Sequence, residues 1–72
     1  MRRQPVNSSN ITSIGYDEQS QTLEVEFNNG TTYQYFDVPE RLARELIDNP
    51  PGGSHGKFLN ENIKGNYRYS RV

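Results

Sequence analysis

Apolar and polar residues alternate most clearly over Gln21–Asn28, where Leu23, Val25 and Phe27 are interleaved with Glu24 and Glu26. Side chains on a strand switch faces at every residue, so this pattern predicts a half-buried β-strand. Asn29-Gly30 follows, a pair that tolerates positive φ and marks a tight hairpin. Thr31–Phe36 then returns as a second strand of the hairpin. Upstream, Asn10–Tyr16 predicts another strand, with Ile14 and Tyr16 on one face and Ile11 on the other. Downstream the period changes. Val38, Leu42 and Leu46 recur at helical spacing, with Ala43 and Ile47 widening the stripe. Asp37-Val38-Pro39-Glu40 reads as the helix start, with Asp37 as the cap. Asn49-Pro50-Pro51-Gly52-Gly53 ends that helix. Ser54 then caps a shorter helix running to about Lys64, with Phe58, Leu59 and Ile63 inward and Gly65 as its stop. The pattern predicts an α+β fold: a small three-stranded antiparallel β-meander, two short helices, and a C-terminal extended segment (Asn66–Val72) available to pair with the sheet. Residues 1–8 show no periodicity and read as a flexible N-terminal tail.

The length of the hairpin loop decides where Tyr33 and Tyr35 point. A two-residue loop pairs Glu26 with Tyr33 and Glu24 with Tyr35, placing the rings on the charged face. A three-residue loop, Asn28-Asn29-Gly30 with a glycine bulge, pairs Val25 with Tyr33 and Leu23 with Tyr35. One residue of slip reverses every side chain. The longer loop gives one continuous apolar face and leaves Glu24, Glu26, Thr32 and Gln34 in water, which favours it. Tyr33 and Tyr35 then read as core rings. In the other orientation they are a platform on which bases stack, as aromatics do in single-strand binders.

The chain has 72 residues, enough for one small domain. Hydrophobic residues make up 31% of it, against the usual 45–50% that also counts glycine. The core must be thin, with tyrosine and phenylalanine supplying much of it. The chain has no cysteine, which rules out disulfides and thiolate metal sites. No apolar run approaches the ~20 residues a spanning helix needs. Met1-Arg2-Arg3 is not followed by an apolar segment, so no secretory signal is expected and a cytoplasmic location is.

The net charge of −1 is unevenly spread. Between Gly15 and Asp48, eight carboxylates face only Arg41 and Arg44. Between Lys57 and Val72, Lys57, Lys64, Arg68 and Arg71 face only Glu61. This last stretch also carries Tyr67-Arg68-Tyr69-Ser70-Arg71, in which rings and guanidinium groups alternate. Arginine pairs with phosphate through two bonds and stacks on bases, so the segment suits RNA, single-stranded nucleic acid or a nucleotide. Lys57 and Lys64 lie on one helical face and would extend the patch. The plainer alternative is an edge strand with packed tyrosines and solvated arginines.

Other motifs carry less. Gly52-Gly53-Ser54-His55-Gly56-Lys57 has short glycine spacing, a preceding helix, and Phe58 where a metal-binding hydroxyl belongs, so it is not a phosphate loop. It leaves at most an anion site at a helix N-terminus, and a plain interhelical turn accounts for it better. His55 reads as an exposed loop residue. Asn60 and Asn62 suit either reading a base edge or capping local backbone. The carboxylates are dispersed, with no acid/base pair, so no enzyme activity, catalytic residue, cofactor or metal is expected.

From Ser8 to Val72 the chain resembles the KTSC domain family, found at the C-terminus of some lysyl-tRNA synthetases and as free-standing small proteins. The resemblance is carried by Ser9-Asn10-Ile11, Ile14-Gly15-Tyr16-Asp17, Leu23-Glu24-Val25-Glu26-Phe27 with Gly30, and Tyr33-Gln34-Tyr35-Phe36-Asp37-Val38-Pro39. It continues through Gly53-Ser54, Gly56-Lys57-Phe58-Leu59-Asn60 and Ile63-Lys64. It implies a single domain over residues 9–72, no enzymatic activity, and a nucleic-acid partner. Two functions are therefore expected. The first is a non-enzymatic binding module for RNA, single-stranded nucleic acid or a nucleotide, using Lys57, Lys64, Tyr67, Arg68, Tyr69 and Arg71, with stacking by Tyr33 and Tyr35. The alternative is a protein-interaction or self-associating module that completes its thin core with a partner.

Overall fold

The computed structural model of the chain describes residues 3–48 and 54–72. Its elements run β1 (Arg3–Pro5), β2 (Ile11–Asp17), β3 (Thr22–Phe27), β4 (Thr32–Tyr35), α1 (Glu40–Asp48), α2 (His55–Asn62) and β5 (Tyr69–Arg71). The strands form one antiparallel sheet in the order β1-β2-β3-β4-β5. The α+β class and the two helices are as expected, but the sheet has five strands rather than three. One, β5, comes from the C-terminal segment expected to be available for pairing, and the other, β1, from the expected tail; both are three-residue edge strands with every residue exposed. They are held by backbone pairing, and Arg3 also reaches Glu24 at 3.2 Å and Glu26 at 3.8 Å. Strands that bury nothing have no hydrophobic period to show. This is why β1 read as part of a loose tail.

The hairpin has the three-residue loop. Phe27 N–H donates to Thr31 O at 2.8 Å and Gly30 N–H to Phe27 O at 3.0 Å, while Gly30 takes φ of +89°. Val25 therefore faces Tyr33, and Leu23 faces Tyr35. On β2 the expected faces need one correction. A bulge between Ile11 and Ser13 inserts Thr12 as an extra residue. It turns Ile11 onto the same face as Ile14, and both are buried.

The start of α1 also differs. Asp37 has φ of 61° and is not its cap. The first helical carbonyl is that of Pro39, which accepts from Leu42 and Ala43, both at 3.1 Å. The cause lies in Val38, which is tied to the sheet on both sides. Its N–H donates to Gln21 O at 3.0 Å, and its carbonyl accepts from the Tyr16 hydroxyl. The helix cannot begin until the chain leaves that contact. On the wet face of α1, Arg44 bridges Glu40 at 3.5 Å and Glu18 at 3.0 Å.

Ser54 caps α2 by accepting from Lys57 N–H at 3.2 Å. The helix ends at Asn62, and Gly65 at φ of +84° lies in the turn beyond. His55 is not an exposed loop residue. It is half-buried in the first turn of α2, with Nδ1 donating to Leu46 O at 2.7 Å. That bond satisfies a carbonyl in the last turn of α1, which has no partner within its own helix. The expected stop at Asn49–Gly53 and the glycines preceding Ser54 lie outside the described residues.

Both helices pack on one face of the sheet, with α1 against β2 and α2. The core joins Ile11, Ile14, Leu23, Val25 and Tyr35 from the sheet to Val38, Ala43, Leu46, Phe58, Leu59 and Ile63. The other face is polar. There Glu24 accepts from Gln34 Nε2 at 2.9 Å, and Glu26 accepts from Ser13 Oγ at 3.1 Å. Among the described residues no helix is long and apolar enough to cross a membrane.

Candidate functional site

The strand period and the register together build an aromatic row. Phe27 closes the inward series of β3. Tyr33 and Tyr35 share that face of β4, and Tyr69 lies opposite Tyr35 on β5. Ring centroids are 5.9 Å apart for Phe27–Tyr33, 5.8 Å for Tyr33–Tyr69 and 6.0 Å for Tyr35–Tyr69. The first two pairs meet edge to face, a favoured arrangement of ring quadrupoles. Exposure rises along the row. Tyr35 is 3% exposed, Tyr33 half-buried and Tyr69 64% exposed. Tyr33 and Tyr35 thus join Tyr69 in a single cluster, in which Tyr35 is core and Tyr69 is surface.

Three neighbouring hollows of about 500, 400 and 580 Å³ border this row, sharing wall residues, and together are called the groove below. Tyr33 and Lys64 border the first and second; Gly65 and Tyr69 border the second and third. The chain has nine Asp and Glu residues, and none lines the groove. Among the described residues its cations are Lys64 and Arg68. The turn after α2 carries Lys64, whose Nζ lies 5.1 Å from the Phe27 ring centroid. Arg68 stacks 5.5 Å from the Phe36 ring centroid and bonds the Asp37 carboxylate at 3.0 Å. That ion pair is highly exposed, so water and salt screen it and it is easily exchanged for another anion.

The structure therefore brings together Lys64, Tyr67, Arg68, Tyr69, Tyr33 and Tyr35 of the expected site. Lys57 is exposed on α2 and does not line the groove, although Gly56 and Asn60 of the same helix do. Arg71 sits opposite Tyr33 in register, exposed, and does not line it either. Phe27 and Phe36 belong to the site although the sequence pattern marked Phe27 only as core. The two asparagines separate cleanly. Asn60 lines the groove, while Asn62 spends its amide on Phe58 O at 3.2 Å.

Two tyrosines have raised ionisation. Burial, followed by the neighbouring Tyr33 and Tyr69, pushes Tyr35 above the ordinary phenol value. Tyr16 is raised by burial and then by Glu40, Glu18 and Asp17. Both hydroxyls stay protonated near neutrality, and that of Tyr16 donates to Val38 O. Among the described residues no group of three or more His, Cys, Asp or Glu is placed to hold a metal ion. What the groove offers is stacking, amide hydrogen bonding and two cations.

Comparison with known proteins agrees with the expected resemblance. Residues 7–67 match the KTSC domain. An uncharacterized protein of Stutzerimonas stutzeri is 38% identical over 73 aligned positions, covering 100% of this chain and 99% of that one. A lysine–tRNA ligase of Nostoc punctiforme is 38% identical over 62 positions, 86% of this chain but only 10% of the ligase. The crystal structure of a KTSC domain protein from Yersinia pestis superposes with a TM-score of 0.90 at 41% identity, covering 99% of this chain and 96% of that one.

Proposed function

Because the chain belongs to the KTSC domain family, we propose that it acts as a non-enzymatic cytoplasmic module that binds RNA, another single-stranded nucleic acid or a nucleotide. The observation that carries this reading is the groove: a graded row of rings with no carboxylate in its lining, Lys64 beside it and Arg68, paired with Asp37, at one end. Unpaired bases stack on exposed aromatics regardless of sequence, and cations beside the rings take the phosphates. The lysine–tRNA ligases among the relatives act on tRNA by name, which supports RNA as the partner. Lys57 and Arg71 lie beside the groove and add long-range attraction rather than contact.

The test is binding of a fluorescent single-stranded RNA across a salt series. Each neutralised phosphate adds roughly −0.7 to the slope of log K against log salt. Lys64→Ala and Arg68→Ala should each flatten that slope by about this amount. Absence of binding at low salt, or variants that bind with the wild-type slope, would overturn the reading.

One observation favours a second reading, a protein-interaction or self-associating module. Strand β5 is a sheet edge, and Tyr69 and Val72, at its end, are both 64% exposed. Open edges with apolar side chains recruit further strands. Sedimentation decides this: a concentration-independent monomer leaves the edge without a partner of its own kind.

A further inference from the structure

The two edges of the sheet are finished differently. In an antiparallel pair, alternate residues turn their N–H and C=O toward the partner strand, and those between turn them outward. Just past β1, Val6 N–H donates to Thr12 O at 3.2 Å, and Gln4 pairs with Ile14 two residues earlier. Arg3 and Pro5 therefore form the outer edge. Proline has no N–H to offer there, which blunts an edge against further pairing.

The β5 edge has no such guard. Phe36 N–H donates to Arg68 O and Val72 N–H to Thr32 O, both at 2.9 Å. Ser70, midway between, pairs with Gln34. Tyr69 and Arg71 therefore turn their N–H and C=O groups away from the sheet. The approach of Ser70 Oγ to Arg71 O, at 3.5 Å, leaves that carbonyl a second lone pair. All three residues of β5 are exposed. Tyr69 and Val72 are also the large hydrophobic residues left exposed among those described.

We propose that β5 pairs antiparallel with β5 of a second copy, with Ser70 opposite Ser70 on the two-fold axis. The inference rests on the self-association reading and gives it a surface and a register. Centred on Ser70, Tyr69 of each copy faces Arg71 of the other, and every outward N–H and C=O of both strands finds a partner. Centred on Tyr69, the joint would leave Arg71 facing beyond the end of β5. Centred on Arg71, it would oppose two guanidinium groups, and like charges directly opposite are destabilising. A guanidinium beside a phenol ring is attracted to it instead. The strand is thus self-complementary about Ser70, as a two-fold interface requires. Tyr69 and Arg71 lie on the same face as Tyr33 and Tyr35. The joint therefore brings the aromatic rows of both copies to one face of a continuous sheet. It also gives Arg71, which lines no part of its own groove, a ring to contact.

The test reads the register directly. The chain has no cysteine, so a single introduced thiol has only its own copy in another molecule to meet. Facing residues of a non-hydrogen-bonded pair have Cα atoms about 4.5 Å apart, within the ~4.4–6.8 Å that a disulfide spans. Tyr69 and Arg71 each stand two residues out of register with their own counterparts, beyond that reach. In one glutathione redox buffer and at equal concentration, Ser70→Cys should form covalent dimer at least about tenfold faster than Tyr69→Cys or Arg71→Cys. Sedimentation of the wild type across a concentration series should show reversible dimerisation. N-methylation of the Arg71 amide, introduced by synthesis, removes an outward donor from each copy and spares the Ser70–Gln34 pairing. It should weaken the dimer by about tenfold or more, while the dilute protein melts as wild type; if it melts early, the crosslinking ratio decides alone. A dimer that crosslinks no faster through Ser70→Cys, or that withstands N-methylation, overturns the β5 joint and leaves self-association standing. A monomer at every concentration overturns both.

Discussion

Tyr35 and Tyr69 are neighbours across one strand pair, and their removal should have opposite consequences. Tyr35 is 3% exposed and lies within the core cluster with Leu23 opposite. Truncating a buried aromatic ring to alanine costs about 3–5 kcal/mol. At about 0.05–0.15 kcal/mol per residue a domain of this size has roughly 4–11 kcal/mol in all, so Tyr35→Ala should be severely destabilised, with Tm lowered by well over about 10 °C. Tyr69 is 64% exposed and touches Tyr33 and Tyr35 through ring edges. Such contacts are worth about 0.5–1.5 kcal/mol each when enclosed. At this exposure about 1 kcal/mol in total is expected, or a fall in Tm of roughly 4–8 °C. Binding should show the reverse emphasis. A base stacked on Tyr69 contributes about 1–3 kcal/mol, so Tyr69→Ala should weaken single-stranded RNA about 5- to 150-fold while staying folded. Thermal melts by circular dichroism and fluorescence anisotropy with the same protein preparation give both numbers. A Tyr69→Ala protein that is folded and binds RNA as tightly as wild type would refute the assignment of Tyr69 as the stacking ring. One as strongly destabilised as Tyr35→Ala would refute the division into core and surface.

Two further predictions concern the fold. Gly30 holds φ of +89°, and a β-carbon there meets nothing within 4 Å, so Gly30→Ala tests conformation alone. The left-handed cost of about 1–2 kcal/mol, less about 0.4–1 kcal/mol gained from a stiffer unfolded chain, predicts a net loss near 1 kcal/mol by urea titration; D-alanine introduced by synthesis should restore it. The raised ionisation of Tyr35 predicts alkaline instability: because the folded phenol holds its proton more tightly than the unfolded one, stability is intact below the ordinary value of 10.0 and falls as pH rises past it. Urea titrations across that range should show a shallower fall for Tyr35→Phe, and an unchanged profile would argue against this burial effect.

The parts of this fold visible in sequence are those with a periodic signature. Leu23-Glu24-Val25-Glu26-Phe27 marked β3, and the need for one apolar face selected the three-residue turn and with it the side of the sheet on which Tyr33 and Tyr35 lie. Other features arise from contacts between segments distant in sequence, which local pattern does not encode. The Thr12 bulge reverses Ile11 only because β2 must follow β3. Asp37 has a cap's neighbours, but Val38 is held by Gln21 of the β2–β3 turn and Tyr16 of β2. β1 buries no side chain and left no trace at all. Among site residues, the Tyr67–Arg71 segment stood out by composition. Asn60 and Asn62 could not be told apart there, because a free amide and a committed one are the same letter.

The position of the groove follows from the order in which the chain spends its few apolar residues. Aliphatic side chains occupy β2, β3 and the helices, where Ile11, Ile14, Leu23, Val25, Leu46, Leu59 and Ile63 are all buried. Both helices are inserted between β4 and β5, and α1 settles against β2. The returning strand must then pair outside β4, on the side of the sheet away from that contact. At β4 and β5 the inward positions pass from Val and Leu to Tyr33, Tyr35 and Tyr69, whose rings pack while their hydroxyls tolerate water. A sheet edge finished in tyrosine can remain half covered at little cost, whereas the same edge finished in isoleucine would demand a lid. The low apolar content and the aromatic groove therefore have one origin: the core ends where the tyrosines begin, and the surface left open there is the one available to a ligand.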